Sequence, residues 1–98
     1  AVTSVNLENV DLAIPACPHD AEATLSIKTN GPGEVTYQIS DSNGESTNIK
    51  PLNFDAAGTK NVTYKVTVNA TGAYTISLKI IEPNNQPFGP FDFFALCP

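Results

Sequence analysis

Hydrophobic and polar residues alternate one by one along much of this chain. The clearest run is residues 61–69, NVTYKVTVN, in which threonine and lysine alternate with Val62, Tyr64, Val66 and Val68. A period of two is typical of a β-strand with one buried side, because successive side chains point to opposite faces of a sheet. We therefore predict a strand here, with these four side chains directed into a core.

Three further segments share this period, namely residues 22–29, 34–40 and 73–80. The side chains that we expect to face inward are Ala23, Leu25, Ile27, Val35, Tyr37, Ile39, Tyr74, Ile76, Leu78 and Ile80. Shorter or weaker patterns predict additional strands within residues 2–14, 52–54 and 91–97. In the 52–54 strand, Leu52 and Phe54 are expected to face the core.

Turn-forming residues separate these segments. Clusters rich in glycine, asparagine and proline predict loops at 30–33, 41–46, 55–59, 70–72 and 83–90. The chain shows no helical period. Six or seven short strands, with turn signals about every 8–12 residues, are what two packed antiparallel sheets require. We therefore predict an all-β antiparallel sandwich of two sheets and about seven strands, formed by residues 1–98 as a single domain.

The stretch VNATGAYTISLKI resembles the corner between strands E and F of immunoglobulin-like and fibronectin-III-like domains. Tyr74 matches the tyrosine at the start of strand F, and the resemblance implies that its hydroxyl reaches back to the backbone. VTYQI resembles strand C, with Tyr37 where antibody domains place tryptophan. The antibody B–F disulfide is absent, because Ile76 occupies its position in strand F. The chain as a whole resembles modules of secreted or cell-surface bacterial proteins, which implies an extracellular and usually non-enzymatic role.

The two cysteines lie far apart in sequence, with Cys17 before strand B and Cys97 after strand G. In an immunoglobulin-like order these two positions meet at one pole, so we predict a disulfide between them. Closing so long a loop stabilises the fold by about 4–5 kcal/mol in the chain-entropy account. It also predicts an oxidising location, outside the cell or on its surface. Two buried free thiols are the alternative. Metal binding has less support, because two cysteines and the single histidine, His19, do not complete a tetrahedral site.

Charge and hydrophobic run length exclude some partners. The net charge is −5, and the five basic residues are scattered lysines, with no arginine to supply a bidentate fork for phosphate or guanine. We therefore predict binding neither to nucleic acid nor to an anionic membrane surface. The longest apolar run, FFALC, is far shorter than the roughly 18 residues of a membrane span. Membrane insertion is not expected.

A candidate binding surface follows from the same strand order. The B–C loop (30–33), the D–E loop (55–59) and the F–G loop (83–90) would gather at the pole opposite the cysteines, as recognition loops do in antibody variable domains. The candidate residues there are Asn30, Gly31, Asn85 and Phe88. We expect Phe88 to lie in a proline-stiffened loop, where it either meets a partner or caps the sandwich. In the final strand, Phe93 and Phe94 must face opposite sides, so one of them leaves the core.

Other motifs carry weaker signals. Residues 41–45, DSNGE, repeat part of a calcium-binding loop, but Leu52 stands where the distal glutamate is needed, and a hairpin turn explains the residues. No metal or other cofactor is predicted. Asn61 and Asn69 each begin an N-x-T triplet, a glycosylation acceptor that chance also produces on threonine-rich strands. With one histidine and no serine or cysteine beside a plausible base, we predict that the protein is not an enzyme.

Together these features predict a non-catalytic extracellular module that acts as a spacer, stalk or adhesion domain of a larger secreted or surface protein. Its partners would then be the neighbouring domains of that protein. The rival prediction is an accessory module that binds carbohydrate or protein through the loop pole. Sugar sites usually expose aromatic rings, whereas Tyr37, Tyr64 and Tyr74 are all expected to face inward. A third alternative is association of copies through open strand edges.

Overall fold

The computed structural model describes all 98 residues and contains seven β-strands. They are β1 (Val2–Val10), β2 (His19–Thr29), β3 (Gly33–Asp41), β4 (Lys50–Phe54), β5 (Gly58–Val68), β6 (Gly72–Glu82) and β7 (Gln86–Ala95). The all-β prediction is confirmed, and each predicted strand is present. There is no helix with the length and hydrophobicity that a bilayer crossing would need.

The strands form two antiparallel sheets. One sheet has the order β1-β2-β5 and the other the order β4-β3-β6-β7. β4 pairs with β3, with Val35 opposite Leu52, so the loop after β4 leads from one sheet to the other. Side chains from both sheets contribute to a single hydrophobic cluster of 19 buried residues. The predicted two-sheet sandwich is therefore confirmed.

The alternation of hydrophobic and polar residues along the strands correctly predicts which side chains form the core. All fourteen inward residues predicted for the four alternating segments are buried, and eight large side chains are almost completely so: Leu25, Ile27, Ile39, Val66, Val68, Ile76, Leu78 and Ile80. Burial of each such aliphatic side chain contributes roughly 1.5–3 kcal/mol. Phe54 is buried as expected, whereas Leu52 is only partly buried because β4 is a short edge strand. Phe93 packs against the core while Phe94 is exposed.

The predicted long loop at 83–90 is wrong. Only Pro83–Asn85 connect β6 to β7, and Phe88 lies within β7, opposite Leu78 and packed against the core. Prolines are tolerated in β7 because it is the outermost strand of its sheet, where half of the backbone N–H groups have no neighbouring strand to bond. Phe88 therefore belongs to the sheet and not to a presenting loop.

A β-bulge in β7 accommodates the glycine between these prolines. The register shifts between Ile76 and Leu78, so that Gly89 and Pro90 share one position opposite β6. Gly89 has a φ of +102°, which side chains rarely allow. A Cβ at this position would lie 3.1 Å from the carbonyl oxygen of Ile76. The bulge thus needs glycine for two separate reasons.

The sandwich is an elongated body of 44 × 21 × 17 Å with two distinct ends. One end, here called the loop pole, carries Ala1 and the connections at residues 30–32, 55–57 and 83–85. The other end, the cysteine pole, carries residues 11–18, 69–71 and 96–98. β1 runs from the loop pole to the cysteine pole, and β7 runs in the same direction.

Cys17 and Cys97 form a disulfide at the cysteine pole, with their Cα atoms 5.8 Å apart. The bond joins the β1–β2 connection to the segment that follows β7, and no free cysteine remains. The predicted disulfide is confirmed, because two chain positions separated by 80 residues meet where the strand order brings them together.

Candidate functional site

The structure brings three of the four candidate binding residues to the loop pole. Asn30 and Gly31 lie in the β2–β3 connection, and Asn85 lies in the β6–β7 connection. Phe88 lies inside β7 and is half-buried. The loop pole therefore lacks the aromatic residue that the sequence assigned to it.

Asn30 is directed toward the first residue of the chain. Its side-chain oxygen Oδ1 accepts a hydrogen bond from the backbone nitrogen of Ala1 at 2.8 Å, and its backbone N–H donates to the carbonyl of Ala1 at 3.1 Å. Within the same turn, the hydroxyl of Thr29 donates to the carbonyl of Gly31 at 3.1 Å. The side-chain oxygen and backbone N–H of Asn30 and the hydroxyl of Thr29 are thus engaged within the protein.

Asn84, which the sequence did not single out, has the most connected side chain of the loop pole. Its Oδ1 accepts from the N–H of Val2 at 3.2 Å, while its Nδ2 donates to the carbonyl of Val2 and to Oε1 of Gln86, both at 3.0 Å. The amide thus bonds Val2 as a neighbouring strand would. Because Val2 belongs to the other sheet, this side chain joins the two sheets at the loop pole.

Asn30 and Asn84 together form what is here called the asparagine latch, which holds the beginning of β1 from two turns. Asn85, the adjacent residue, has a different role. It is exposed and has a φ of +43°, the left-handed conformation that asparagine tolerates better than most side chains. Nothing in the sequence distinguishes Asn84 from Asn85, because the difference depends on which of the two amides faces β1.

The surface holds one depression, and it lies at the opposite pole. It has a volume of about 480 Å³, is open to solvent and is lined by Pro18, His19, Asp20 and Thr67. The carboxylate of Asp20 accepts a hydrogen bond from the hydroxyl of Thr67 at 2.9 Å. A polar, open depression lacks the enclosed apolar lining that small-molecule sites usually have.

Aromatic side chains are not available for stacking with a sugar at the loop pole. Tyr37, Tyr64 and Tyr74 are buried, which confirms their predicted inward orientation. The large hydrophobic side chains that are exposed, Leu12, Ile49, Phe94 and Leu96, lie outside the loop pole.

The DSNGE segment forms a hydrogen-bonded turn. Oδ1 of Asp41 accepts from the N–H groups of Asn43 and Glu45, at 2.9 and 3.2 Å, while Oδ2 accepts from the hydroxyl of Tyr64 at 2.6 Å. Asn43 in turn donates from its side chain to the carbonyl of Thr67 at 2.8 Å. Both carboxylate oxygens of Asp41 are therefore engaged in closing the turn over β5. No group of three or more metal-ligating side chains lies together in the protein.

The hydroxyl of Tyr64 is electrostatically perturbed. Burial raises its pKa above the ordinary tyrosine value, and the hydrogen bond to Asp41 and the negative charge of that carboxylate raise it further. Burial alone raises the pKa of Tyr37. Ionisation of either phenol is therefore harder in the folded protein than in the unfolded chain.

Tyr74 makes the backward hydrogen bond that its resemblance to a tyrosine corner implies. Its hydroxyl donates to the carbonyl of Ala70 at 2.7 Å and accepts from the N–H of the same residue at 3.3 Å. Its ring stacks on Phe93, with centroids 5.7 Å apart. The N–H of Cys97 donates to the hydroxyl of Thr71 at 2.8 Å. The β5–β6 turn is thus fixed to β7 and to the segment that carries the disulfide.

The two N-x-T asparagines are exposed. Asn61 lies in β5, and Asn69 follows that strand directly. Because both residues are exposed, both acceptor nitrogens are accessible.

Comparison with protein-family models, with curated proteins and with solved structures gave no match.

Proposed function

We propose that this chain is a non-catalytic spacer module with an immunoglobulin-like or fibronectin-III-like sandwich, in a larger extracellular or cell-surface protein. The observation that carries the proposal is the position of residues 1 and 98 at opposite poles of a body 44 Å long. A chain that enters at one pole and leaves at the other passes along the long axis, so each copy would separate its neighbours by about that length.

The immunoglobulin-like part of the proposal is supported by the strand order and by Tyr74. β1, β2 and β5 take the places of strands A, B and E, and β3, β6 and β7 those of C, F and G. The fourth strand departs from the order of antibody constant domains. It lies beside β3, whereas strand D of those domains lies beside strand E.

The extracellular part is supported by the Cys17–Cys97 disulfide, since such bonds persist in oxidising compartments and are rare in the cytosol. The non-catalytic part is supported by the surroundings of His19, the one histidine of the chain. The neighbouring carboxylate, Asp20, accepts a hydrogen bond from the hydroxyl of Thr67.

The rival proposal, recognition of carbohydrate or protein at the loop pole, has less support. The latch amides of Asn30 and Asn84 bond β1, and the buried tyrosines leave no aromatic platform there. Of the candidate residues, Gly31 and Asn85 keep exposed or half-exposed surface, but neither offers a side chain that would provide most of a binding energy.

A domain replacement in the full-length parent protein tests the proposal. Replacement of residues 1–98 by an unrelated rigid sandwich of similar length should preserve the activity of the parent protein, whereas a short flexible linker should impair it. Loss of activity in the length-matched replacement would contradict the spacer role and favour recognition by this surface.

A second measurement tests the location. Alkylation of thiols under denaturing conditions, in protein taken directly from its source, should leave Cys17 and Cys97 unmodified. Quantitative alkylation of both would place the protein in a reducing compartment and overturn the extracellular assignment.

A further inference from the structure

The shortest covalent route between the two poles avoids most of the fold. It starts at Ala1, follows β1 to the cysteine pole, continues through residues 11–17 and crosses the disulfide to Cys97. Residues 18–96, which include β2 to β7, form a closed loop attached to this route at one point. Once the contacts between β1 and the rest of the fold have broken, tension applied between residues 1 and 98 is therefore carried by the route and not by the loop.

We propose that residues 1–17 and the Cys17–Cys97 disulfide form a covalent strap that limits extension of the module under tension and leaves β2–β7 unloaded once β1 has detached. This inference rests on the proposed spacer function, because it describes how a spacer keeps its length when it is pulled. It assigns to the disulfide a mechanical role in addition to its effect on stability.

The strap has little slack. β1 is already extended and covers about 27–30 Å of the long axis. Fully stretched, residues 1–17 reach about 55–60 Å, so the strap lengthens by no more than about 30 Å even if β1 leaves the sheet completely. Without the disulfide, all 98 residues can be drawn out to about 320–350 Å. The bond therefore reduces the available extension about tenfold.

Residues 18–96, here called the body, contain most of the hydrophobic core. Of the 19 residues in the hydrophobic cluster, only Val2 and Val5 belong to β1. The tyrosine hydrogen bonds to Asp41 and Ala70 also lie outside the strap. Displacement of β1 would thus remove Val2 and Val5 from the cluster, and Leu7 and Val10 from its edge, while the sheet β4-β3-β6-β7 keeps all its strand pairs.

The point where tension enters is also the point where β1 is held from two sides. Ala1 and Val2 bond the asparagine latch, and β1 then pairs with β2 through a register that shifts between Val2 and Ser4 and again between Leu7 and Asn9. Each shift interrupts the ladder of hydrogen bonds. Under tension the latch should therefore release first. β1 should then separate from β2 in short segments bounded by the two register shifts.

Single-molecule force spectroscopy tests the strap, with handles attached at residues 1 and 98. The oxidised protein should lengthen by no more than about 3 nm at forces that unfold a Cys17→Ser/Cys97→Ser variant, whereas the variant should lengthen by about 28–31 nm. If the variant does not fold, dithiothreitol added to the wild-type protein under constant force provides the same comparison, as one release of similar size. Lengthening of the oxidised protein beyond about 3 nm would overturn the proposal.

Whether β2–β7 stay folded needs a separate measurement. The strap limits the distance between residues 1 and 98, so that distance does not report unfolding of these strands. Dyes placed at positions 31 and 69, at opposite poles, report by energy transfer whether β2–β7 stay folded. Under tension through residues 1 and 98, transfer should persist in the oxidised protein and vanish in the serine variant. Loss of transfer in the oxidised protein at the same force would show that the body is loaded after all.

A change of attachment point serves as the control. With handles at positions 31 and 69 and the disulfide intact, the tension crosses the body, and we expect unfolding with a gain of about 8–11 nm. Resistance equal to that seen through residues 1 and 98 would mean that the body is intrinsically strong and that the strap is unnecessary. Failure of the domain replacement in the parent protein leaves these measurements unchanged, so the two proposals fail separately.

Discussion

The side chain of Tyr64 joins the two sheets at a single hydroxyl. It donates to Oδ2 of Asp41 at 2.6 Å, from β5 in one sheet to the end of β3 in the other. Removal of the hydroxyl in Tyr64→Phe leaves a carboxylate oxygen without its partner, which should cost about 1.5–3 kcal/mol. Urea unfolding followed by circular dichroism measures this loss.

Tyr37→Phe is the matched control for that substitution. Tyr37 is buried to a similar extent, but its pKa is raised by burial alone and not by a charged partner. We expect its replacement to change the free energy of unfolding by clearly less than Tyr64→Phe does. Equal effects of the two substitutions would mean that the bond to Asp41 adds nothing.

The raised pKa of Tyr64 predicts a loss of stability in alkaline solution. The unfolded chain loses the phenolic proton near the ordinary tyrosine pKa of about 10, while the folded protein keeps it to higher pH. The folded state then binds more protons, so the free energy of unfolding falls as pH rises above about 10 and is unaffected below that value.

Comparison of urea midpoints at pH 8 and pH 11 isolates this contribution. The wild-type protein should lose more stability over this interval than Tyr64→Phe, since Tyr37 and the lysines are common to both proteins. Equal losses in the two proteins would show that Tyr64 ionises as easily in the folded state as in the unfolded chain.

At the scale of the element, β1 depends on the latch at its first residues. Asn84→Ala removes three hydrogen bonds, two of them to the backbone of Val2. We expect a loss of about 1–2 kcal/mol and faster hydrogen exchange at the N–H of Val2, because a net contribution near 1 kcal/mol per bond is typical and part of it is recovered from water.

Asn85→Gly is the control for the latch. Glycine adopts the left-handed conformation of this position at least as easily as asparagine, and Asn85 is exposed. This variant should leave the exchange rate of Val2 unchanged. Equal acceleration in both variants would assign the effect to the turn as a whole and not to the amide of Asn84.

The bulge in β7 predicts a strict requirement for Gly89. Alanine there meets both a φ of +102° and a carbonyl oxygen at 3.1 Å, so Gly89→Ala should lower stability by about 1–3 kcal/mol. Gly31→Ala is the control, because its added Cβ meets nothing within 4 Å. Thermal unfolding of the two variants separates them, and similar midpoints would contradict the bulge geometry.

These elements also show where sequence reasoning succeeds and where it stops. The alternation in residues 61–69 predicts both strand and buried face, because one side of the sheet must exclude water. The same reasoning fails at Phe88, since proline normally argues against a strand and only the outermost position of β7 removes that objection. Of the candidate site, the pole and its turns could be predicted. The roles of Asn84 and Asn85 could not, because they depend on contacts with a strand 82 residues away.

At the scale of the whole molecule, the disulfide acts on the unfolded chain as much as on the fold. With a sequence separation of 80 residues, it removes much of the conformational freedom of the open chain. Loss of a disulfide from a small domain typically costs about 2–5 kcal/mol. Against a total stability of about 5–15 kcal/mol, a chain of this size should then lie close to its unfolding threshold.

Urea unfolding with and without reductant tests this prediction. The reduced protein and the Cys17→Ser/Cys97→Ser variant should show the same lowered midpoint, because both lack the same constraint. The slope of the unfolding free energy against urea should also rise, since the open chain exposes more surface on unfolding than the closed loop does. An unchanged midpoint in both proteins would mean that packing of the two sheets alone holds the fold, and that the bond between Cys17 and Cys97 serves the strap and not the stability of the sandwich.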